Sequence, residues 1–301
     1  MQVKRRIILT PNGVVVESMP KRTAVAESDR PLTPEELRAC KLFIAVPTYQ
    51  GSVHSGCMMS LFRLSHDLRS AGIQQMLRML DGEMVARARN RLVADFLETD
   101  CSHLLFVDSD ITFDSAALIR MLQSNLSVIG GVYPKKSIRW QGAFTHARNS
   151  NGDGSPETTA EASLDYVVNA LPTRTGRMVR DCIEVKYVGT GFLLIQRRVI
   201  EAMVKRYKKL SYSDDFADAP ARRIPALFDY GIVNDRYLSE DYKFCQHWIA
   251  MGGKIWASAT CKLAHAGSYI FQGDFGRRLR ASTTARLLKP ARAASAENSR
   301  R

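Results

Sequence analysis

The chain predicts an α/β fold: one layered domain with a mostly parallel central sheet flanked by helices. Three observations lead there. Between residues 42 and 132, short apolar runs alternate with segments of helical period, the rhythm of successive β-α-β units. Of the 301 residues, 45% are hydrophobic, enough for one large core. No apolar run approaches the roughly 20 residues that a membrane-crossing helix needs.

Residues 1–40 read as an N-terminal arm. Asn12-Gly13 suits a tight hairpin turn, and Thr33-Pro34-Glu35-Glu36 has the cap, proline and acid order that opens a helix. The alternation then runs strand 42–47, helix 56–70, strand 73–80, helix 83–98, strand 103–108, helix 114–123, strand 127–132. Residues 145–180 break it, and Asn149-Ser150-Asn151-Gly152-Asp153-Gly154-Ser155-Pro156 is a loop signal. Residues 135–185 read as an insertion beside the site. Residues 211–238, rich in Asp, Ala and Pro, read as a second irregular connection. Ser239 then caps a helix with Glu240 and Asp241 in its first turn and Gly252-Gly253 as its stop.

Composition sets the partners to consider. The net charge is +13, of which +7 falls in residues 277–301, a basic tail poor in large apolar side chains that reads as disordered. A solvated extension and an anchor to an anionic partner, nucleic acid or membrane surface, both fit such a tail. Six cysteines without C-x-x-C spacing indicate reduced thiols and a cytoplasmic setting. The basic start, Met1 to Thr10, lacks the apolar core of a signal peptide.

The most informative segment is His103-Leu104-Leu105-Phe106-Val107-Asp108-Ser109-Asp110, a buried strand that ends in acids. Residues i and i+2 of a strand face one side, so Asp108 and Asp110 are expected to aim into one site. Paired carboxylates at the carboxyl end of a parallel strand sit where open α/β sheets bind ligands. Their mutual repulsion calls for a proton or a hard cation such as Mg²⁺ or Mn²⁺ with a diphosphate. Loop-capping acids are the plainer alternative. In helix 83–98, at about 100° per residue, Arg89 falls inside the apolar arc of Val85, Ala88, Leu92, Val93 and Phe96, opposite Arg87 and Arg91. A buried arginine needs a partner, either a structural acid or a phosphate.

Five segments in order, spread over residues 41–275, resemble a GT-A nucleotide-sugar glycosyltransferase of the family 2 type. They are Phe43-Ile44-Ala45-Val46-Pro47-Thr48-Tyr49, then Ala88-Arg89-Asn90 with the D-x-D, Val188-Gly189-Thr190-Gly191-Phe192, Ser239-Glu240-Asp241, and Leu263-Ala264-His265-Ala266-Gly267. The resemblance implies a Rossmann-like GT-A domain over residues 41–276. It places the nucleoside at Pro47, Thr48 and Tyr49, and the donor phosphates near Arg89, Asn90, Asp108, Ser109 and Lys135. Gly189, Thr190 and Gly191 would flank the donor sugar. Asp108, Asp110 and His265 would hold Mn²⁺ or Mg²⁺. Asp241, on the inward face of its helix, is the expected general base, with Glu240 beside it for sugar hydroxyls.

The expected activity is thus a metal-dependent and inverting transfer, by in-line attack of an acceptor hydroxyl that Asp241 deprotonates, from a nucleoside-diphosphate sugar to a glycan, lipid-linked or nucleic-acid acceptor. Two alternatives remain: a nucleic-acid-associated protein, conceivably one that glycosylates a modified DNA base, and a nucleotidyltransferase. The last expects a phosphate-cradling loop, for which Gly51-Ser52-Val53-His54-Ser55-Gly56 is a poor match.

Overall fold

A computed structural model describes residues 5–10 and 13–18 as backbone, and residues 27–149, 155–171, 178–214 and 222–280 in full. Arg5–Thr10 and Gly13–Ser18 pair antiparallel with Thr10 opposite Gly13, which places the hairpin as expected; Pro11 and Asn12 lie outside the described residues. The basic tail beyond Arg280 lies outside them too. Thr33 forms both halves of a capping box with Glu36 ahead of the short helix Pro34–Arg38.

A nine-stranded sheet organises the rest. From one edge its strands run Gln74–Leu80, Lys41–Pro47, His103–Val107, Phe192–Gln196, Val128–Gly131, Ile255–Ser258, Cys182–Val188 and Val168–Ala170, with Met178–Val179 also paired to Cys182–Val188. Lys41–Pro47 is parallel to both its neighbours, through helices Ser55–Ser70 and Val85–Leu97. Phe192–Gln196 and Cys182–Val188 run against the other strands, so the sheet is mostly parallel in direction with antiparallel seams.

Period-two alternation divides the strands between two cores. Phe43, Ala45, Leu104, Phe106, Leu193 and Ile195 face one side, with helices Val85–Leu97, Arg197–Arg206 and Glu240–Ala250. Leu42, Ile44, Leu105, Val107, Phe192 and Leu194 face the other, with helices Ser55–Ser70 and Ser115–Ser124. Strands covered on both faces must be apolar almost throughout, which is why these segments read as continuous hydrophobic runs.

The stretch read as an insertion is only partly one. Helices Trp140–Asn149 and Pro156–Ala162 do stand outside the sheet, but Val168–Ala170 and Cys182–Val188 complete its far edge. In Cys182–Val188 the alternation is diluted by Glu184 and Lys186, and the partner of that strand, Ile255–Ser258, lies about 70 residues on, as Glu184 pairing with Lys254 also records. No helix among the described residues is long and apolar enough to cross a membrane.

Candidate active site

The D-x-D strand stops at Val107, and Asp108 to Asp110 form a turn instead of continuing the strand. The Asp108 N–H donates to the Gly191 carbonyl at 2.9 Å and the Asp108 carbonyl accepts from Ile111 at 3.0 Å. His54, which caps helix Ser55–Ser70, donates its backbone N–H to the Ser109 carbonyl at 2.8 Å. Turn geometry ends the i, i+2 relation. The two carboxylates take separate partners.

Asp108 faces Arg89. The guanidinium is 2% exposed; Nη2 donates to Asp108 Oδ1 at 2.7 Å and Nε stands 3.5 Å from Glu240 Oε1. Burial works against its charge, but Asp108 and then Glu240 outweigh burial and hold it above its usual value. Arg89 thereby joins the end of a central strand to the start of helix Glu240–Ala250. Its Nε and Nη1 carry no hydrogen bond. Asn90 is occupied differently: it donates to the Phe228 carbonyl at 2.7 Å and accepts from the Phe228 N–H at 2.9 Å, tying its helix to the chain 138 residues on.

Asp110 faces Lys136 and His265. Its Oδ2 accepts from the Lys136 ammonium, and its Oδ1 lies 3.4 Å from His265 Nε2. Burial pushes the Asp110 carboxyl up, and His265 and Lys136 outweigh it to hold it below its ordinary value. His265 Nδ1 is 2.9 Å from the Pro134 carbonyl, which can only accept, so Nδ1 carries a proton. A neutral ring then turns a bare Nε2 lone pair toward Asp110 Oδ1, itself buried without a hydrogen-bond partner. Two acceptors facing one another call for a proton or a cation between them.

A carboxylate oxygen and an imidazole nitrogen facing one another are a donor set that suits Mn²⁺ or Mg²⁺, so Asp110 and His265 are the residues that could hold one. Asp108 does not join them in this arrangement, and no group of three or more His, Cys, Asp or Glu among the described residues converges on one point. Lys135, the expected phosphate partner, is exposed; its neighbour Lys136 is the one drawn to the acid.

The glycine segment is explained by Tyr133. Its hydroxyl accepts from the Gly191 N–H at 3.0 Å, and its ring packs edge-on against His265 at 5.2 Å. A Cβ at Gly191 would lie 2.7 Å from Tyr133 Cζ, and one at Gly189 would lie 2.3 Å from the hydroxyl oxygen. Close backbone approach is real, but to a buried side chain. Thr190 is buried beside it. Burial, then Asp108 and Asp241, raise the Tyr133 hydroxyl well above its ordinary value, so it stays protonated.

Pro47 ends the first strand, and Thr48 is buried with its hydroxyl on the Leu80 carbonyl at 3.1 Å. Tyr49 is 75% exposed, in the turn that follows that strand. Asp81, which the sequence reading passed over, accepts from the Gly51 N–H at 2.6 Å and holds the Tyr49 turn. Its signal was readable: an acid directly after strand Gln74–Leu80, next to Gly82.

Ser239 takes the extended cap conformation yet makes no cap bond, because its hydroxyl is drawn to Asp241 Oδ1. The same oxygen accepts from the Tyr242 N–H at 2.7 Å. Burial pushes the Asp241 carboxyl up to about 6, against the Ser239 hydrogen bond and helped by Glu240. A carboxylate poised near neutrality is matched to proton transfer. A cavity of about 1210 Å³ lies beyond strand Lys262–Ala266, lined in part by Thr112, Ala264, Trp140, Tyr269 and Ile270.

No protein-family model and no curated protein matches the chain. Solved structures do resemble it remotely. A197 from STIV shares 18% identity over 76% of this chain and 86% of its own, with a TM-score of 0.40. A Drosophila beta-1,4-galactosyltransferase 7 mutant, in complex with manganese, UDP-Gal and xylobiose, shares 11% over 85% and 82%, at 0.36. The inositol-1-phosphate CTP transferase from T. maritima shares 9% over 74% and 69%, at 0.32.

Proposed function

We propose that the chain is a glycosyltransferase of the GT-A type that moves a sugar from a nucleoside-diphosphate donor to an acceptor hydroxyl with inversion. The observation that carries this reading is the buried bridge Asp108–Arg89–Glu240, which brings three separated segments together with Asp241 next in line. Structural packing alone does not require a carboxylate held near pH 6 at the open end of such a bridge.

In this reading the nucleoside lies against Tyr49, at the turn that Pro47, Thr48 and Asp81 shape. Arg89 fixes Asp108 and Glu240, so that Glu240 meets sugar hydroxyls from a rigid position. Asp241 takes the proton of the acceptor hydroxyl as its oxygen attacks the anomeric carbon. The bond to the nucleoside diphosphate breaks on the opposite face. Asp110 and His265 would hold Mn²⁺ or Mg²⁺, which supplies positive charge to the departing diphosphate. Gly189 and Gly191 act through Tyr133, keeping His265 and the Asp108 turn in register.

The test is a donor screen with Mn²⁺, read first by thermal shift, since a ligand at 100 times its Kd adds about 2.7 kcal/mol. Products are then assayed. Free nucleoside diphosphate with one nucleotide sugar supports the reading, whereas pyrophosphate release would make the chain a nucleotidyltransferase. Full turnover in EDTA would remove the metal. DNA or RNA binding that weakens steeply with salt, without sugar transfer, would favour the nucleic-acid alternative.

A further inference from the structure

Lys136 occupies a position that the reaction outlined above leaves unexplained. It follows Pro134 by two residues on strand Pro134–Ile138, and Pro134 is the residue whose carbonyl orients His265. One short strand therefore presents both the anchor of the imidazole and an ammonium aimed at Asp110. The lysine stem runs over Gly267, where a Cβ would stand 3.1 Å from Lys136 Cδ and 3.5 Å from Cγ. The glycine two residues past His265 thus opens the lane in which the lysine lies.

The ammonium sits on Asp110 Oδ2, while Oδ1 faces His265 Nε2 at 3.4 Å. A cation arriving between Asp110 and His265 would meet a positive charge already on the same carboxylate. Both cannot be held strongly, because one carboxylate offers one negative charge and like charges repel at short range. The lysine side chain is 41% exposed and rich in rotamers, so it can leave Asp110 for an anion on the solvent side. A donor diphosphate is such an anion.

We propose that Lys136 is a tethered stand-in for the metal ion: it holds Asp110 when the site is empty and moves to the diphosphate when donor and cation arrive together. The inference rests on the cation-dependent reading above. It makes free Mn²⁺ a weak ligand and Mn²⁺ with nucleotide a strong one, so the metal is retained only when there is a leaving group to serve.

The experiment is a Mn²⁺ titration of the full chain at pH 7.5, following the free Mn²⁺ signal by electron paramagnetic resonance, first with the metal alone. Lys136→Met should bind Mn²⁺ alone at least tenfold more tightly than wild type. Lys136→Arg, which keeps the charge, should bind it as weakly as wild type. With saturating UDP present, the gain in Mn²⁺ affinity should be at least tenfold smaller in Lys136→Met than in wild type. Equal Mn²⁺ affinities in wild type and Lys136→Met would overturn the inference and leave the glycosyltransferase reading standing. Absence of Mn²⁺ binding by every protein, with and without UDP, would overturn both this inference and the metal reading beneath it. Circular dichroism and thermal melts of the three proteins guard against a trivial loss of fold.

Discussion

Helix Val85–Leu97 carries arginines on two opposite faces, and they do different things. On the sheet side Arg89 is 2% exposed and is shared by two acids from distant segments, Asp108 and Glu240. On the far side Arg91 pairs with Glu83 and stands 3.4 Å from Asp214, Arg87 stands 3.8 Å from Glu83, and Arg222 joins Asp95 from the same helix. That outer network fastens the hairpin Ser211–Ser213 and Arg223–Pro225 to the helix. It is redundant, since Glu83 keeps a second arginine if one is lost. The inner bridge has no substitute. Identical side chains two residues apart thus differ because burial leaves Arg89 one set of partners, while the rim offers several.

The largest expected effect separates the two faces directly. Arg89→Ala strips from two partly buried carboxylates the one cation paired with them among the described residues, and should cost about 3–5 kcal/mol of stability, together with donor binding. Arg89→Lys keeps the charge but cannot span both acids, so it should rescue stability only in part. Urea denaturation measures both. A loss for Arg89→Ala no greater than that for Arg91→Ala would erase the distinction between the faces.

An intermediate effect concerns Asp241, beyond the end of the inner bridge. Its carboxyl is pushed up to about 6 in the folded chain, against roughly 3.9 unfolded. Between those values the native state binds more protons. Its contribution to stability is therefore full below about pH 4 and lost as pH rises through 6. Asp241→Asn removes that loss: it should match wild type near pH 4 and exceed it above pH 7 by on the order of 1–3 kcal/mol. Its turnover should fall roughly 10²–10⁴-fold, as for removal of a general base. A pH series of denaturation curves checks the first, and initial rates check the second. Equal stability at both pH values would show that Asp241 carries no strain of this kind.

The smallest effect belongs to the outer face. Arg91→Ala should cost about 1–2 kcal/mol, because Arg87 remains near Glu83 and the arginine is itself 22% exposed, although Asp214, whose side chain is 1% exposed, loses the Arg91 contact. Melting curves in low and high salt should differ more for wild type than for this variant. A loss approaching that of Arg89→Ala would mean that the hairpin depends on a single pair.

Much of this was legible beforehand. Between residues 41 and 131 the expected strands and helices match the observed ones to within two residues, helix 83–98 appearing as Val85–Leu97 and strand 103–108 as His103–Val107. Each element there is defined by its own periodicity and packs against its sequence neighbours. Beyond residue 134 the reading thinned. The hairpin Gly231–Val233 and Arg236–Leu238 went unseen although Asn234 and Asp235, both at positive φ, are suitable turn residues. Cys182–Val188 was taken into an insertion because its partner strand is distant and its own pattern is broken by charge.

The sequence by itself determined that Arg89 is buried, that a close approach occurs at Gly189 and Gly191, and that acids stand at a strand end and at a helix start. Those follow from local spacing, which dictates the side a residue faces and the backbone it allows. Only the tertiary structure decided the pairings. Asp108 and Asp110 take different partners because the strand ends between Val107 and Asp108 and both acids stand in the turn that follows. Asn90 is taken up by Phe228, the glycines answer to Tyr133, and Lys136 meets Asp110. Partners are fixed by which segments the fold lays side by side, and that depends on contacts between residues far apart in the chain, where one-residue changes of register turn a side chain to the other face.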